Sequence, residues 1–143
     1  MAGASEKLIS AFRGYGRDIG IAFQLRDDLL GVFGNPAITG KPAGDDLREG
    51  KRTVLLSLAL QRADASDPAA AAELRRLIGQ TEDPAEISRM AEIIAASGAP
   101  DVVEQRISKL TQSGLSHLHN AQVSPEVTAT LEDLARKSTA RRM

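Results

Sequence analysis

Apolar residues in this chain recur at helical spacings, and nowhere do β-branched residues gather in an alternating run. A sheet would therefore have no apolar face to bury, and an aromatic fraction of 3% leaves little else to build one from. Alanine, leucine, glutamate and arginine dominate, all good helix formers, so the expected fold class is all-α. Ser5 reads as the N-cap of a first helix in which Leu8, Ile9, Phe12, Ile19, Phe23 and Leu30 form the apolar stripe. That helix is expected to reach Val32 before Gly34-Asn35-Pro36 stops it, a length of roughly 40 Å at 1.5 Å per residue. Residues 34–46 hold three glycines and two prolines and read as a loop. A second helix is expected from Leu47 to Arg62, with Val54, Leu55, Leu58 and Leu60 on its apolar face. Shorter helices are expected over 68–79, 84–97, 100–119 and 125–140, introduced by Asp67-Pro68, Asp83-Pro84, Pro100-Asp101 and Ser124-Pro125. Short connections imply antiparallel neighbours in a helix bundle, and one domain over 1–143 is the simplest division.

The charge balance narrows the function. A formal net charge of -1 over 143 residues gives no clustered excess of Lys and Arg, which argues against a nucleic-acid partner. Cysteine is absent, so disulfides and thiolate metal sites are excluded, and the remaining ligands are carboxylates and two histidines. That hard ligand set favours Mg2+ chemistry. The first ten residues lack the apolar run of a signal peptide, and no stretch reaches the roughly 18 apolar residues of a membrane span. A cytoplasmic location is the expectation.

Several local patterns carry no chemistry. Five residues separate Gly34 from Gly40 where a phosphate-binding P-loop needs four, and Pro42 stands where that loop needs Ser or Thr. Gly14, Gly16 and Gly20 miss the dinucleotide fingerprint by one place and read instead as small residues that let another helix approach. His117 and His119, two apart on a helix, point in different directions and read as surface or packing residues. The segment Phe23-Gln24-Leu25-Arg26-Asp27-Asp28 stands apart. It sets an adjacent carboxylate pair on an apolar helix with no lysine one turn later, and Gln24 lies one turn before the pair. Downstream come Lys41 between Gly40 and Pro42, then Asp45 and Asp46, then Lys51 and Arg52. Carboxylates, a glycine loop and lysines within about 25 residues suit a Mg2+-diphosphate site, in which the cation bridges one or two carboxylates to phosphate oxygens and ammonium groups offset the remaining charge.

Residues 20–60 resemble the second aspartate-rich region of the trans-isoprenyl diphosphate synthases, whose pattern is FQ-x-x-DD-x-x-D, a GK loop, then G-x-D-L-x-x-GK-x-T. Here it reads Phe23-Gln24, Asp27-Asp28, Gly40-Lys41, Gly44, Asp46-Leu47, Gly50-Lys51 and Thr53. The DDLLGVFG and GKRTVLL wording is most similar to the geranylgeranyl-type synthases of actinobacteria. The resemblance implies the C-terminal half of an isoprenoid-synthase helix bundle and a head-to-tail condensation. In that reaction an allylic diphosphate ionises, the carbocation adds to the double bond of isopentenyl diphosphate, and a proton is lost. It implies that Asp27 carries Mg2+ with Asp28 in support, that Gln24, Lys41 and Lys51 contact the allylic diphosphate, that Phe23 walls the isopentenyl side, and that residues 34–46 are the diphosphate loop. Asp27, Asp28 and Lys41 are then the catalytic candidates.

Two departures from the family pattern shape the expectation. Gly31 stands where the third aspartate of the motif belongs, and the family's first aspartate-rich motif has no counterpart here. The chain is therefore expected to hold half an active site, to be inactive alone, and to associate with a complementary N-terminal half, a synthase subunit or a second copy of itself. The alternative is a non-catalytic regulatory or association subunit of a full-length synthase.

Overall fold

The structure, a computed structural model, describes residues 2–40 and 42–140, with side chains from Glu6 onward. Among the described residues there are helices and no strand, as the all-α expectation requires. In chain order the helices are α1 (Ala2–Phe33), α2 (Pro36–Thr39), α3 (Asp45–Glu49), α4 (Val54–Ser66), α5 (Pro68–Leu77), α6 (Pro84–Ala96), α7 (Ala99–Asn120) and α8 (Pro125–Thr139). The Asx-Pro and Ser-Pro signals act as expected. Asp67, Asp83 and Ser124 each accept a backbone N–H of the first turn that follows, with proline at the helix start.

Three expectations are corrected. Helix α1 already includes Ala2, so Ser5 lies within it and is not its N-cap. The segment expected as loop contains the short helix α2, capped by the Asn35 side chain on Ala37 N at 3.0 Å. The helix expected over Leu47–Arg62 is two helices. Gly50 adopts φ 69°, closes α3 with its N–H on Asp46 O, and directs the chain into a short linker. Thr53 then restarts the helix, its hydroxyl accepting Leu56 N–H at 3.1 Å. The buried face of α4 is accordingly Leu55, Leu56, Ala59 and Ala63, while Val54 is exposed.

The chain divides into two compact units. One comprises the chain up to Arg26 together with residues from Gln105, the other Asp27–Glu104. In the first, Tyr15, Ile19, Leu118 and Ala135 form the core, with Leu115, Val123 and Leu131 packed against it. Polar ties across this unit are long in sequence: the Tyr15 hydroxyl donates to Leu131 O at 2.7 Å, and Arg26 Nε donates to Thr139 O at 2.7 Å. In the second unit α4, α5 and α6 pack pairwise and α3 packs on α6. Leu29, Leu47, Leu55, Leu74, Met90, Ile94 and Val103 are its largest fully enclosed side chains among the described residues. Each contributes about 1.5–3 kcal/mol by leaving water.

The small residues of α1 behave unequally. Gly14 lies under the His117 ring, whereas Gly16 and Gly20 meet nothing within 4 Å, so only the first serves as the expected approach point. His117 is a packing residue, as expected. Its Nε2 lies 3.2 Å from Oδ2 of the buried Asp18, which also accepts the Ser113 hydroxyl at 2.6 Å. Burial alone would raise the Asp18 carboxyl, but the hydrogen bonds from Ser113 and Arg17 and the charges of Arg17 and His117 together hold it below its usual value.

Candidate functional site

Phe23 and Gln24 belong to the first unit and both are exposed on α1. Asp27, Asp28, Asp46 and Lys51 belong to the second. The two adjacent carboxylates are unlike each other. Asp27 is half-buried and reaches the surface, whereas Asp28 is 3% exposed. Lys41 lies outside the described residues.

Lys51 sits on the linker between α3 and α4, not at the start of a long helix, and its side chain is exposed. The linker is fixed from below by one residue, since Asp46 O accepts both Gly50 N–H and Lys51 N–H, the latter at 3.0 Å. Gly50 also packs back to back with Gly79. A Cβ on Gly50 would stand 3.0 Å from Gly79 Cα, and Gly79 N–H donates to Leu47 O at 3.0 Å. At the other end of α3, Gly44 adopts φ 72° and presses on Ile87, a close approach that a side chain would block. Gly44 and Gly50 of the spaced pattern thus each have a backbone reason to be glycine.

In the sequence Asp46 reads as one aspartate of the spaced pattern, with no sign of where its side chain lies. In the fold its carboxylate occupies the space a Cβ on Gly31 would take, and Oδ2 is buried with no hydrogen-bond partner. Burial raises this carboxyl above its ordinary 3.8, Lys51 opposes the rise, and the charges of Asp28, Glu49 and Asp45 add to it. No sequence signal announces the burial, because it depends on the spacing of α3 from α1. Among the described residues no three His, Asp or Glu side chains are gathered closely enough to hold a metal ion.

A helical unit with this spacing of FQ, DD, GK and GK-x-T can now be compared with known proteins. The family model for polyprenyl synthetase matches residues 1–96. The chain belongs to the polyprenyl synthetase family. It is 62% identical to the solved geranylgeranyl pyrophosphate synthase of Corynebacterium glutamicum, a structure complexed with isoprenyl diphosphate and magnesium, and superposes with a TM-score of 0.92 over 95% of this chain and 38% of that one. It is 42% identical over 105 residues to the geranylfarnesyl diphosphate synthase of Aeropyrum pernix, covering 73% of this chain and 31% of the relative. It is 35% identical over 136 residues to the (2E,6E)-farnesyl diphosphate synthase of Mycobacterium tuberculosis, covering 94% of this chain and 38% of the relative. The chain thus spans about a third of the length of these polyprenyl synthetases. Among the described residues no helix is long and apolar enough to cross a membrane.

Proposed function

We propose that the chain is the diphosphate- and Mg2+-binding part of a trans-prenyltransferase that joins an allylic diphosphate to isopentenyl diphosphate, and that residues 23–53 carry the second aspartate-rich region of that site. The observation that carries this reading is the placement of a half-exposed Asp27 and a buried Asp28 in the same unit as Lys51, with the linker under Lys51 fixed by the backbone of Asp46. The donors fit a hard cation. They are carboxylate oxygens only and one reaches the surface, and one or two carboxylates are the protein ligands that Mg2+ takes beside substrate phosphates. When bound, Mg2+ supplies charge that stabilises a departing diphosphate. Asp27 would hold that ion at the surface, and Asp28, withdrawn from solvent, would support it.

The remaining roles follow the family resemblance. Gln24, Lys41 and Lys51 contact the allylic diphosphate, residues 34–46 are the diphosphate loop, and Phe23 walls the isopentenyl side. Lys51 acts as a point charge whose reach is limited by its anchored backbone, so it neutralises phosphate without needing a fixed partner of its own. The chain acts together with a second copy or a complementary N-terminal part, in the cytoplasm.

The test is prenyl transfer from labelled isopentenyl diphosphate and geranyl diphosphate, with Mg2+, by the chain alone and with the solution mass recorded. Together with it, melting is followed with inorganic pyrophosphate. The reading expects a pyrophosphate-dependent rise in Tm only with Mg2+, lost in Asp27→Ala, with or without turnover. A rise indifferent to Mg2+ and to Asp27→Ala, or no rise at all, overturns it and leaves the chain an association subunit.

A further inference from the structure

A polar seam runs between α1 and α7 in the first unit, and none of its residues belongs to the proposed diphosphate site. Lys7, Ser10, Gly14 and Asp18 are spaced by three or four residues and share one face of α1, while Ser113, His117 and Asn120 share one face of α7. At one end of the seam the buried Asp18 meets Ser113 and His117. At the other, Lys7, Ser10, His117 and Asn120 line a cleft of about 200 Å3. A second cleft of about 350 Å3 shares Lys7 and Asn120 with it and adds Gln122. Burying a carboxylate is costly, and the return on Asp18 is the orientation of a ring. An ionised carboxylate only accepts, so His117 Nε2 carries a proton and donates to Asp18 Oδ2 at 3.2 Å. The Gly14 backbone lies under the Cγ, Cδ2 and Nε2 atoms of the same ring, which leaves the Nδ1–Cε1 edge for the cleft.

The lining has one sign of charge. Lys7 brings an ammonium group, Ser10 a hydroxyl, Asn120 and Gln122 amides, and no residue lining either cleft is acidic. Gln122 adopts φ 54°, a left-handed conformation that no other non-glycine residue takes among those described, so the turn after α7 keeps a polar side chain at the cleft where glycine would be less strained. That turn also occupies the end of α7. The N–H groups of Ala121, Gln122 and Val123 donate to the carbonyls of His117, His119 and Leu118 at 3.2–3.3 Å, so these oxygens are not left bare to repel an anion. The remaining dipole of the helix end still disfavours dense negative charge, and neither cleft is lined by an arginine, whose fork suits phosphate. A single negative charge is therefore the better match. We propose that this cleft is a binding site for a small monocarboxylate, paired with Lys7 and contacted by the Ser10 hydroxyl and the free edge of the His117 ring, with the Asn120 and Gln122 amides beside the rest of the ligand. The site needs no metal and is independent of the diphosphate reading.

The chain has two histidines, which gives the test an internal control. The imidazole resonances of the isotope-labelled chain are followed by NMR while glycolate is added in the presence of a chelator, with chloride at equal ionic strength as reference. Glycolate moves the His117 signals along a saturating curve in the millimolar range, the scale for a ligand of so few atoms, and leaves His119 in place. Chloride moves neither. Lys7→Met, a change at an exposed position that leaves Tm unaltered, weakens the binding about tenfold or more, because a charge-assisted contact is lost. Asp27→Ala binds glycolate as the wild-type chain does, so the result stands apart from the diphosphate site. Shifts that are equal for both histidines, the lack of a saturating shift at His117, or undiminished binding in Lys7→Met each overturn the site. Inorganic pyrophosphate that moves His117 in the chelator as strongly as glycolate overturns the carboxylate assignment.

Discussion

Alanine placed at Gly14 and at Gly20 of the same helix should change stability in opposite directions. Both positions are interior to α1, so helix propensity alone favours alanine by about 0.8–1.0 kcal/mol at each. At Gly20 nothing lies within 4 Å of the new Cβ, and the full gain is expected. At Gly14 the Cβ would stand 2.7 Å from three atoms of the His117 ring, which must move. The ring cannot move without leaving Asp18, whose side chain is 7% exposed and, among the described residues, then keeps Ser113 at 2.6 Å and Arg17 at 3.4 Å as donors. A hydrogen bond to a charged group is worth about 1.5–3 kcal/mol, so Gly14→Ala should be destabilising by about 0.5–2 kcal/mol net. For a chain of this size about 4 °C accompanies each kcal/mol, giving a Tm about 4 °C higher for Gly20→Ala and about 2–8 °C lower for Gly14→Ala. Thermal unfolding followed by circular dichroism reads both. In His117→Ala, where the obstructing ring is gone, Gly14→Ala should become stabilising. If Gly14→Ala raises Tm as much as Gly20→Ala in the wild-type background, α1 does not pack on α7 through the His117 ring.

Three other outcomes follow from the same geometry. Gly50→Ala combines a left-handed backbone, about 1–2 kcal/mol for alanine, with a 3.0 Å approach to Gly79, so Tm should fall by roughly 8 °C and pyrophosphate affinity should fall with it as the Lys51 linker shifts. Because the Asp18 carboxyl is held below its ordinary 3.8, its contribution to stability is complete above that value and is lost as pH falls through the lowered native one; Asp18→Asn should therefore cost stability at pH 7 and progressively less as pH falls below 3.8, read from melting curves across that range. Asp46 has the opposite sign. Its carboxyl is raised by burial, so the folded chain binds that proton more readily than the unfolded one, and Asp46→Asn should raise Tm at pH 7, with the gain vanishing as pH falls below 3.8.

Helix order and the proline-marked starts were legible because each signal is local. Asp67, Asp83 and Ser124 cap the helices they precede whatever the rest of the chain does. The break at Gly50 was not legible, since Leu47, Val54 and Leu55 keep a helical period across it, and the left-handed turn is selected by the Gly79 backbone packed behind it. The candidate site divides the same way. Spacing alone picks out Gln24, Asp27, Asp28 and Lys51, but two neighbouring aspartates look equivalent in a sequence, and only packing buries Asp28 and leaves Asp27 at the surface. Gly31 reads as a missing aspartate until α3 is placed, whereupon it reads as room for Asp46. Thr53, one more letter of a pattern, proves to be the N-cap that restarts the chain after the lysine linker.

Whether the carboxylate face holds a diphosphate through Mg2+ is decided by calorimetric titration of geranyl diphosphate into the wild-type chain and into Asp27→Ala, each with Mg2+ and with a chelator. The expected result is binding by the wild-type chain only when Mg2+ is present, and a loss of at least about tenfold in Asp27→Ala. Equal affinity in all four titrations would contradict it, because the diphosphate would then be held without the carboxylate face on which the assignment rests.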